Sequence, residues 1–303
     1  MAAICKVKDI ARHPPAVIAS LTSPIYQVLQ NLTARLIRHA YIVDEKGFLL
    51  GVASAKDIIN FLGGGWKYRI VKQKYSGELW KALRSEPIES IMSRRIVTVN
   101  VEDSLVEAIN SFLKYDVGAF PVLDEESRLW GSLSERHIMK LLAHHHAYVK
   151  VSEIMSQPVL TISPETATLE AMKLFIKYDI RRLPLVREGK IEAIVTVKDI
   201  LRFFTSEAAK PLLEEGKYRE LLATPVSTYA SKPVVVIDPD ADVGEAAAKM
   251  AEINAGCLPV VDEGKLVGIV TERDFLLKLP KVKGVEIYID TVKRRISIGR
   301  VSF

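Results

Sequence analysis

The residues best suited to bind a ligand are an Asp and a hydroxyl residue three positions before it. The pattern Ser/Thr-x-x-Asp occurs at residues 54–57, 196–199 and 271–274. Both oxygens of an ionised Asp accept hydrogen bonds, so the carboxylate could hold the two hydroxyls of a ribose. A hydroxyl and the free N–H groups at the start of a helix could contact a phosphate. The same spacing also forms a helix capping box, which needs no ligand, and the residues alone leave both interpretations open.

Basic residues accompany this pattern and supply groups that could bind phosphate. The residue before each Asp is Lys56, Lys198 or Arg273. Two basic pairs precede apolar segments, and the matching positions elsewhere hold small residues: Arg38-His39 and Arg181-Arg182 against Gly118-Ala119 and Gly256-Cys257. The planar guanidinium group suits phosphate oxygens. The alternative is that these arginines are solvated and bind nothing.

The pattern belongs to a segment that the chain repeats four times. An apolar strand, an acidic turn, a second apolar strand and a polar turn occur at residues 40–57, 120–137, 183–199 and 258–274. A short strand and an amphipathic helix precede them, as at residues 154–164 and 168–178. Each repeat is therefore predicted to run strand, helix, strand, strand, helix, with the consecutive strands paired as a hairpin. A unit of about 55 residues buries little apolar surface alone, so we expect repeats 1 and 2 to share one core and repeats 3 and 4 another.

The four segments resemble cystathionine-β-synthase (CBS) domains over residues 4–62, 87–143, 150–204 and 224–279. The resemblance rests on a Met-Ser opening, a Pro-Val-Val-Asp strand and a Gly-Ile-Val-Thr-x-x-Asp ending. Repeat 1 departs most, since Tyr41 replaces the proline and the Met-Ser opening is missing. The resemblance implies an α/β (α+β) fold of four CBS repeats paired into two Bateman modules, with adenosine ligands in the clefts between repeats. The count of four is similar to that of the gamma subunits of AMP-activated protein kinases.

The resemblance also implies roles for individual residues. The carboxylates of Asp57, Asp199 and Asp274 would bind ribose. Phosphate would be bound by Ser54, Thr196, Thr271, Lys56, Lys198, Arg273, Arg181, Arg182, Arg38 and His39, and the adenine side would be lined by Thr161 and Ile162. In repeat 2, Ser134 is followed by His137 in place of the ribose-binding Asp. A neutral imidazole accepts only one hydrogen bond, so this cleft is predicted to be defective.

Two basic segments lie outside the repeats. The net charge is +5, and residues 63–86 and 281–303 each hold six basic against two acidic residues. Residues 63–86 are predicted to be a linker whose aromatic side chains pack and whose lysines face water, and residues 205–223 a second linker. Residues 280–303 are predicted to be a basic β extension, with a hairpin across residues 290–295. Basic and aromatic residues together also suit nucleic acid, so the alternative function is a structural scaffold or nucleic-acid-binding protein that uses the two basic segments.

Other features of the sequence argue against several functions. No apolar run reaches the roughly 18 residues of a membrane span. Cys5 and Cys257 have neither metal-ligand nor disulfide spacing, which favours a reducing cytoplasm. Gly63-Gly64-Gly65 lacks the Gly-Lys-Ser/Thr of a phosphate loop and is predicted to end a helix. The histidines at 144–146 are predicted to be an exposed helix end rather than a metal site. No catalytic residue, catalytic cofactor or metal is predicted.

We therefore expect a cytoplasmic regulatory protein rather than an enzyme. AMP, ADP or ATP is the expected ligand, and S-adenosylmethionine is an alternative. The ligand would change the angle or rigidity between two repeats, and a protein partner would read the change and in turn alter nucleotide affinity. The residues identify neither that partner nor whether two chains form a homodimer.

Overall fold

Each repeat consists of an opening segment, at the position of the Met-Ser sequence, and a body that holds its strands and main helices. The opening and the body of each repeat lie in different units of the fold. The computed structural model describes residues 5–297. One unit, the 1/3 unit, contains Ala16–Ile96 and Leu160–Val234, which include the bodies of repeats 1 and 3. The other, the 2/4 unit, contains Met1–Pro15, Val97–Val159 and Val235–Phe303, with the bodies of repeats 2 and 4. Each unit therefore combines two repeat bodies with the opening segments of the other two repeats, which are residues 87–96 and 224–234 in the 1/3 unit and residues 5–15 and 150–159 in the 2/4 unit.

In the 1/3 unit each body is a small sheet with helices beside it. Repeat 1 has three strands: Ile18–Ala19 pairs parallel with His39–Val43, which pairs antiparallel with Leu49–Ser54. Repeat 3 has the antiparallel hairpin of Arg182–Arg187 and Lys190–Thr196, and its first strand is reduced to a parallel bridge between Ile162 and Leu185. The main helices are Ile25–Ala34, Ala55–Ile59, Thr168–Lys177 and Val197–Phe204. Both bodies thus follow the predicted order of elements.

The 2/4 unit repeats this arrangement. Repeat 2 has a sheet of Val99–Asn100, Ala119–Leu123 and Leu129–Ser134. Repeat 4 has the hairpin of Cys257–Asp262 and Lys265–Thr271, with a parallel bridge from Ile237 to Val260. The helices are Leu105–Tyr115, Glu135–Leu141, Val243–Glu252 and Glu272–Leu277, and the openings contribute Val7–Ile10 and Val151–Ile154.

Each unit has its own hydrophobic core, which joins repeats that are not neighbours in the sequence. The core of the 1/3 unit includes Phe61 of repeat 1 and Phe175 of repeat 3. The core of the 2/4 unit includes Phe112 of repeat 2 and Phe275 of repeat 4. The expectation that repeats 1 and 2 share one core, and repeats 3 and 4 another, was therefore wrong. An apolar helix face requires burial but does not specify which repeat covers it, because the hydrophobic effect is non-directional.

The openings nevertheless tie repeat 1 to repeat 2 and repeat 3 to repeat 4. Ser156, in the opening of repeat 3, exchanges backbone hydrogen bonds of 2.8 and 3.1 Å with Ile269 of repeat 4. The Met155 side chain occupies the space that a Cβ on Gly268 would take, so the Met-Ser opening packs directly against the strand at this glycine. The other three openings cross in the same way, through the pairs Arg12–Ser132, Ser93–Val52 and Ser231–Ile194. The four CBS repeats therefore stand in two pairs.

Residues 63–86 fold as short helices. These are Trp66–Tyr68, Arg69–Lys74 and Leu79–Ser85. The Trp80 ring packs edge-on against Tyr26, with centroids 4.9 Å apart, whereas Trp66 is exposed. Lys67 is buried, so the expectation that the lysines of this segment face water was wrong for this residue. Residues 205–223 also contain two helices, Ala209–Glu214 and Tyr218–Ala223.

The C-terminal extension is helical where the structure describes it. Leu279–Lys283 and Glu286–Ser297 form helices, so the β-hairpin predicted across residues 290–295 was wrong. Ile287, Tyr288 and Val292 recur at helical spacing and are buried in the core of the 2/4 unit. The buried face of this helix therefore follows helical spacing and not the alternation of Val285, Ile287 and Ile289 that suggested a strand. Residues 298–303, which include part of the predicted second strand, lie outside the described residues.

Candidate functional site

The Ser/Thr-x-x-Asp residues form capping boxes at three helix starts. In repeat 3, the backbone N–H and the hydroxyl of Thr196 donate to Oδ2 of Asp199 over 2.8 and 2.6 Å. Thr271 and Asp274 make the same bonds of 2.8 and 2.7 Å in repeat 4, and Ser54 bonds to Asp57 in this way in repeat 1. The capping interpretation therefore holds at all three sites. It uses one carboxylate oxygen, so any second role belongs to Oδ1.

Oδ1 of Asp199 receives donors from two sources. The Ser231 hydroxyl, from the opening of repeat 4, lies 3.0 Å away, and Arg202 Nη2 lies 2.6 Å away. Arg202 stands one helical turn after the Asp, and its side chain is 55% exposed. Sequence reasoning missed both donors. The serine could have been found only by recognising that the opening of one repeat crosses to the next.

The Asp274 site in repeat 4 has the same construction. Its Oδ1 accepts from the Ser156 hydroxyl, in the opening of repeat 3, over 2.8 Å. Lys278 Nζ lies 2.8 Å from the same oxygen and also donates to the Met155 carbonyl over 2.9 Å. Both Asp199 and Asp274 are buried. Repeats 3 and 4 thus hold their carboxylates by matching contacts that cross between the two repeats.

Repeat 1 differs because its carboxylate pairs with a lysine from outside the repeat. Lys67 Nζ forms a salt bridge with Oδ1 of Asp57 and donates to the Ile91 carbonyl over 2.5 Å. The Ser93 hydroxyl, in the opening of repeat 2, bonds to the Arg95 carbonyl over 3.3 Å. Lys67 therefore takes the place at Asp57 that a serine hydroxyl shares with a cation in repeats 3 and 4.

His137 performs the capping role in repeat 2. The Ser134 N–H donates to its Nδ1 over 3.0 Å. Burial is the main cause that lowers the pKa of His137 to about 4, and the charges of Lys140 and Arg12 lower it further. The neutral ring has a single acceptor nitrogen, which the backbone already uses. The side chain therefore has no acceptor left for a ribose, which is the physical basis for predicting a defective cleft.

The predicted phosphate-binding pairs lie at the start of their hairpins, next to a helix start. In repeat 3, Arg182 lies opposite Thr196, and the Arg181 carbonyl accepts from the Val197 N–H over 3.1 Å. Repeat 1 places His39 opposite Ser54 and uses the Arg38 carbonyl in the same way. The helices that begin here carry Lys56 and Lys198 in their first turns.

Several of these cations surround His39 in the 1/3 unit. Burial lowers the pKa of His39 to about 3, and the charges of Arg38, Arg181 and Lys56 lower it further. Lys56 also pairs with the exposed Asp179. Arg181 of repeat 3 thus lies near enough to His39 of repeat 1 to influence its charge, together with Arg38 and Lys56.

In the 2/4 unit, buried acids neutralise the corresponding cations. Glu135 and Glu272 are 1% and 0% exposed and stand where repeats 1 and 3 have apolar residues. Arg136 Nε donates to Glu272 over 2.6 Å, and Arg273 Nη1 to Glu135 over 3.5 Å. Arg273 also pairs with Asp116. The predicted phosphate ligand Arg273 is therefore held by carboxylates of its own unit.

The remaining predicted positions have simpler surroundings. Thr161 precedes Ile162, whose backbone exchanges hydrogen bonds with Pro184 and Val186 of the repeat 3 hairpin. In the histidine tract, His146 Nδ1 lies 2.7 Å from Asp242. Over residues 5–297, no group of three or more His, Cys, Asp or Glu side chains is arranged to hold a metal ion. Within the same range, no helix combines the length and apolar character needed to cross a membrane.

The chain belongs to the CBS-domain family. The model of this domain matches residues 7–64, 88–144, 151–206 and 226–281. An uncharacterized 33.4 kDa protein of a ribosomal RNA operon in Thermofilum pendens is 38% identical, over 97% of this chain and 98% of that one. Protein MJ1225 of Methanocaldococcus jannaschii, a proposed archaeal homologue of γ-AMPK, has a crystal structure that matches with a TM-score of 0.84 and 25% identity, over 90% of this chain and 99% of that one. A conserved protein of Pyrococcus horikoshii shares the fold, with a TM-score of 0.57 and 23% identity over 90% of this chain and 98% of that one.

Proposed function

We propose that this chain is a regulatory protein whose CBS repeats bind an adenosine nucleotide such as AMP, ADP or ATP. The observation that carries the proposal is the shared geometry of Asp199 and Asp274. Each carboxylate is fixed by a capping box through Oδ2 and meets a hydroxyl from the neighbouring repeat at Oδ1. A ribose diol could donate two hydroxyl hydrogen bonds to Oδ1 in place of the cation and the serine hydroxyl that now donate there. The similarity to a proposed γ-AMPK homologue supports the same function.

A bound nucleotide could displace the cations that pair with these two carboxylates. The Arg202 side chain is 55% exposed, so it can turn from Asp199 towards a phosphate, while the Ser231 hydroxyl still donates to Oδ1. Lys278 is intermediate in exposure and sits one helical turn after Asp274. Nucleotide binding would thus exchange an internal ion pair for a ribose contact and a phosphate contact.

Phosphate binding is assigned to the 1/3 unit. Arg38, Arg181, Arg182, Lys56 and Lys198 lie at or beside the two helix starts there, with the Ser54 and Thr196 hydroxyls. In the 2/4 unit the equivalent Arg136 and Arg273 already contact buried glutamates. A phosphate there would compete with carboxylates that cannot leave the interior. We therefore assign the stronger phosphate contacts to repeats 1 and 3.

The exchanged openings supply a route for regulation. A ligand at Asp199 would meet Ser231, whose backbone is bonded to Ile194, and would therefore bias the position of the repeat 4 opening. A protein partner that binds one position of the openings would alter nucleotide affinity by the same factor that nucleotide alters partner affinity. The proposed role is binding without turnover of the nucleotide.

Calorimetry on nucleotide-stripped protein tests the proposal. AMP, ADP, ATP and S-adenosylmethionine are titrated separately, and saturable binding of one of them is expected. Asp199→Asn and Asp274→Asn should each remove one site, because an amide oxygen can keep the capping bonds while the NH₂ group cannot accept from a ribose. Asp240→Asn, at an exposed ion pair with Lys150, is the matched control and should bind as the wild type does.

Two results would overturn the proposal. One is unchanged stoichiometry and affinity in both Asp variants. The other is the absence of heat with all four ligands, together with a melting temperature that high ligand concentration leaves unchanged. If the protein instead binds nucleic acid with an affinity that falls steeply with salt, the scaffold alternative and its basic segments replace the nucleotide assignment.

A further inference from the structure

The glycine triplet after repeat 1 turns the chain back towards the Asp57 site. Residues Asn60–Gly64 form a π-helical turn in which Gly63 has a φ of 129°, a conformation that residues with a Cβ rarely adopt. A Cβ on Gly64 would lie 2.9 Å from the Ile59 carbonyl oxygen and 3.0 Å from that of Met172. The Asn60 side chain then accepts from the Lys67 N–H over 2.6 Å. The turn at the glycine triplet therefore places Lys67 beside repeat 1, where the Asn60 side chain fixes its backbone.

The Lys67 ammonium group has two acceptors, which belong to different repeats. It pairs with Oδ1 of Asp57 and donates to the Ile91 carbonyl over 2.5 Å. Ile91 belongs to the opening of repeat 2, directly before Met92 and Ser93. The lysine thus reaches the same junction of carboxylate and crossing opening at which Ser231 and Ser156 stand in repeats 3 and 4.

The cations at the three carboxylates differ in how easily they can leave. The side chains of Arg202 and Lys278 are 55% and 37% exposed, whereas that of Lys67 is only 11% exposed. Withdrawing Lys67 would separate its enclosed ammonium group from both the Asp57 carboxylate and the Ile91 carbonyl, and an ammonium group without partners inside the fold is costly. The side chains at repeats 3 and 4 are less enclosed, so a ligand can displace them more readily.

We propose that Lys67 is a built-in substitute for a ligand at repeat 1 and determines which carboxylates bind a nucleoside. Its ammonium group takes the oxygen of Asp57 that a ribose would need, so Asp57 binds none while Lys67 stays in place. This inference rests on the proposed nucleotide-binding function and corrects one of its expected residues. The Asp57 carboxylate would then serve the fold and not a ligand.

The number of ligands bound per chain tests this role of Lys67. The variant Lys67→Met keeps the length of the side chain and removes its charge. We expect it to bind one more adenosine ligand per chain than the wild type in calorimetry, and adding Asp57→Asn should abolish the extra site. Lys72→Met, at an exposed lysine of the same segment that lies over the Tyr68 ring, is the matched control and should leave the stoichiometry unchanged. Circular dichroism and melting temperature establish that each variant is folded.

Two outcomes would overturn the role of Lys67. The first is a folded Lys67→Met protein that binds no more ligand per chain than the wild type, whatever ligand the wild type binds. A single Asp57→Asn substitution that lowers the wild-type stoichiometry shows that Asp57 already binds ligand. The Asp199→Asn and Asp274→Asn variants report separately on the proposed function, so the failure of one proposal is distinguishable from the failure of the other.

Reductive methylation followed by mass spectrometry provides a second readout that needs no ligand. Lys67 should remain unmodified under conditions in which Lys72 is methylated, because its ammonium group is enclosed between Asp57 and the Ile91 carbonyl. It should stay protected at saturating nucleotide. Methylation of Lys67 at the rate of Lys72 would contradict the enclosed position on which the proposal depends.

Discussion

The Ser231 hydroxyl, in the opening of repeat 4, donates a hydrogen bond of 3.0 Å to Oδ1 of Asp199 in repeat 3. Ser156, in the opening of repeat 3, makes the reciprocal bond of 2.8 Å to Asp274 in repeat 4. Each repeat of this pair therefore supplies a hydroxyl to the carboxylate of the other. Removing one hydroxyl should affect both the repeat that carries it and the repeat that receives it.

Ser231→Ala should lower the free energy of unfolding by about 1.5 kcal/mol, the lower end of the range for a hydrogen bond to a charged group, because Arg202 still donates to the same oxygen. Denaturant unfolding measures this change. Ser93→Ala is the control, because Ser93 holds the same place in the opening of repeat 2 but bonds to the Arg95 carbonyl over 3.3 Å. It should cost less. Equal losses in the two variants would mean that the bond to Asp199 contributes no more stability than the bond of Ser93 to the Arg95 carbonyl.

The local structure of each repeat could be predicted from the sequence, because its signals are local. The hairpins follow from paired apolar runs across an acidic turn, and the capping boxes follow from the three-residue spacing of Thr196 and Asp199. The grouping of repeats into cores could not be predicted, since the helix faces that carry Phe175 and Phe275 both require burial and an apolar face does not specify which repeat covers it. The prediction for the C-terminal extension was wrong because two patterns overlap there. Ile287 and Ile289 fit a strand, but Tyr288 and Val292 complete a helical face with Ile287.

Only the contacts at Oδ2 of each carboxylate could be predicted from the sequence. The Ser/Thr-x-x-Asp spacing identified the residues that meet at Oδ2, whereas the residues at Oδ1 come from distant segments or from the next helical turn. Ser231 is 32 positions from Asp199, and Ser156 is 118 positions from Asp274. Lys67 was assigned to solvent because nothing local distinguishes it from Lys72. The contacts that decide which carboxylate is available therefore depend on the crossing of the openings.

Glu272→Ala should be strongly destabilising. Glu272 is fully buried and accepts from Arg136 over 2.6 Å, so its removal leaves a partly buried guanidinium group without its carboxylate. Breaking a buried pair in this way costs about 3–5 kcal/mol, and denaturant unfolding measures it. Glu165→Ala, at an exposed pair with Arg187, should change stability little. A small loss in Glu272→Ala would show that the existing contacts of Arg136 with Asn254 are enough to hold its guanidinium group.

Tyr288→Ala should show that the basic tail is part of the 2/4 unit. The ring is fully buried, and its hydroxyl donates to the Phe275 carbonyl. Loss of a large buried aromatic side chain costs about 3–5 kcal/mol, which thermal or denaturant unfolding detects. Lys281→Ala, at an exposed position of the same extension, is the control and should have little effect. Stability that is equal to the wild type in Tyr288→Ala would mean that the tail helix does not pack as described.

Acid should destabilise the protein through His137 and His39 before its carboxylates titrate. Their pKa values are lowered to about 4 and about 3, mainly by burial, from an ordinary value of 6.5. Below pH 6.5 the unfolded chain therefore binds protons that the folded chain does not. The stability is complete above about pH 6.5 and is lost as the pH falls towards the folded pKa values, with a limiting slope of about 1.4 kcal/mol per pH unit for each histidine. His137→Asn retains an acceptor for the Ser134 N–H and should lower the slope measured by denaturant unfolding between pH 6 and 5, while His39 and His145, whose pKa values burial also lowers, keep part of it. Because a pH-independent loss of stability does not alter the slope, an unchanged slope in this variant would mean that His137 is not held neutral in the folded protein.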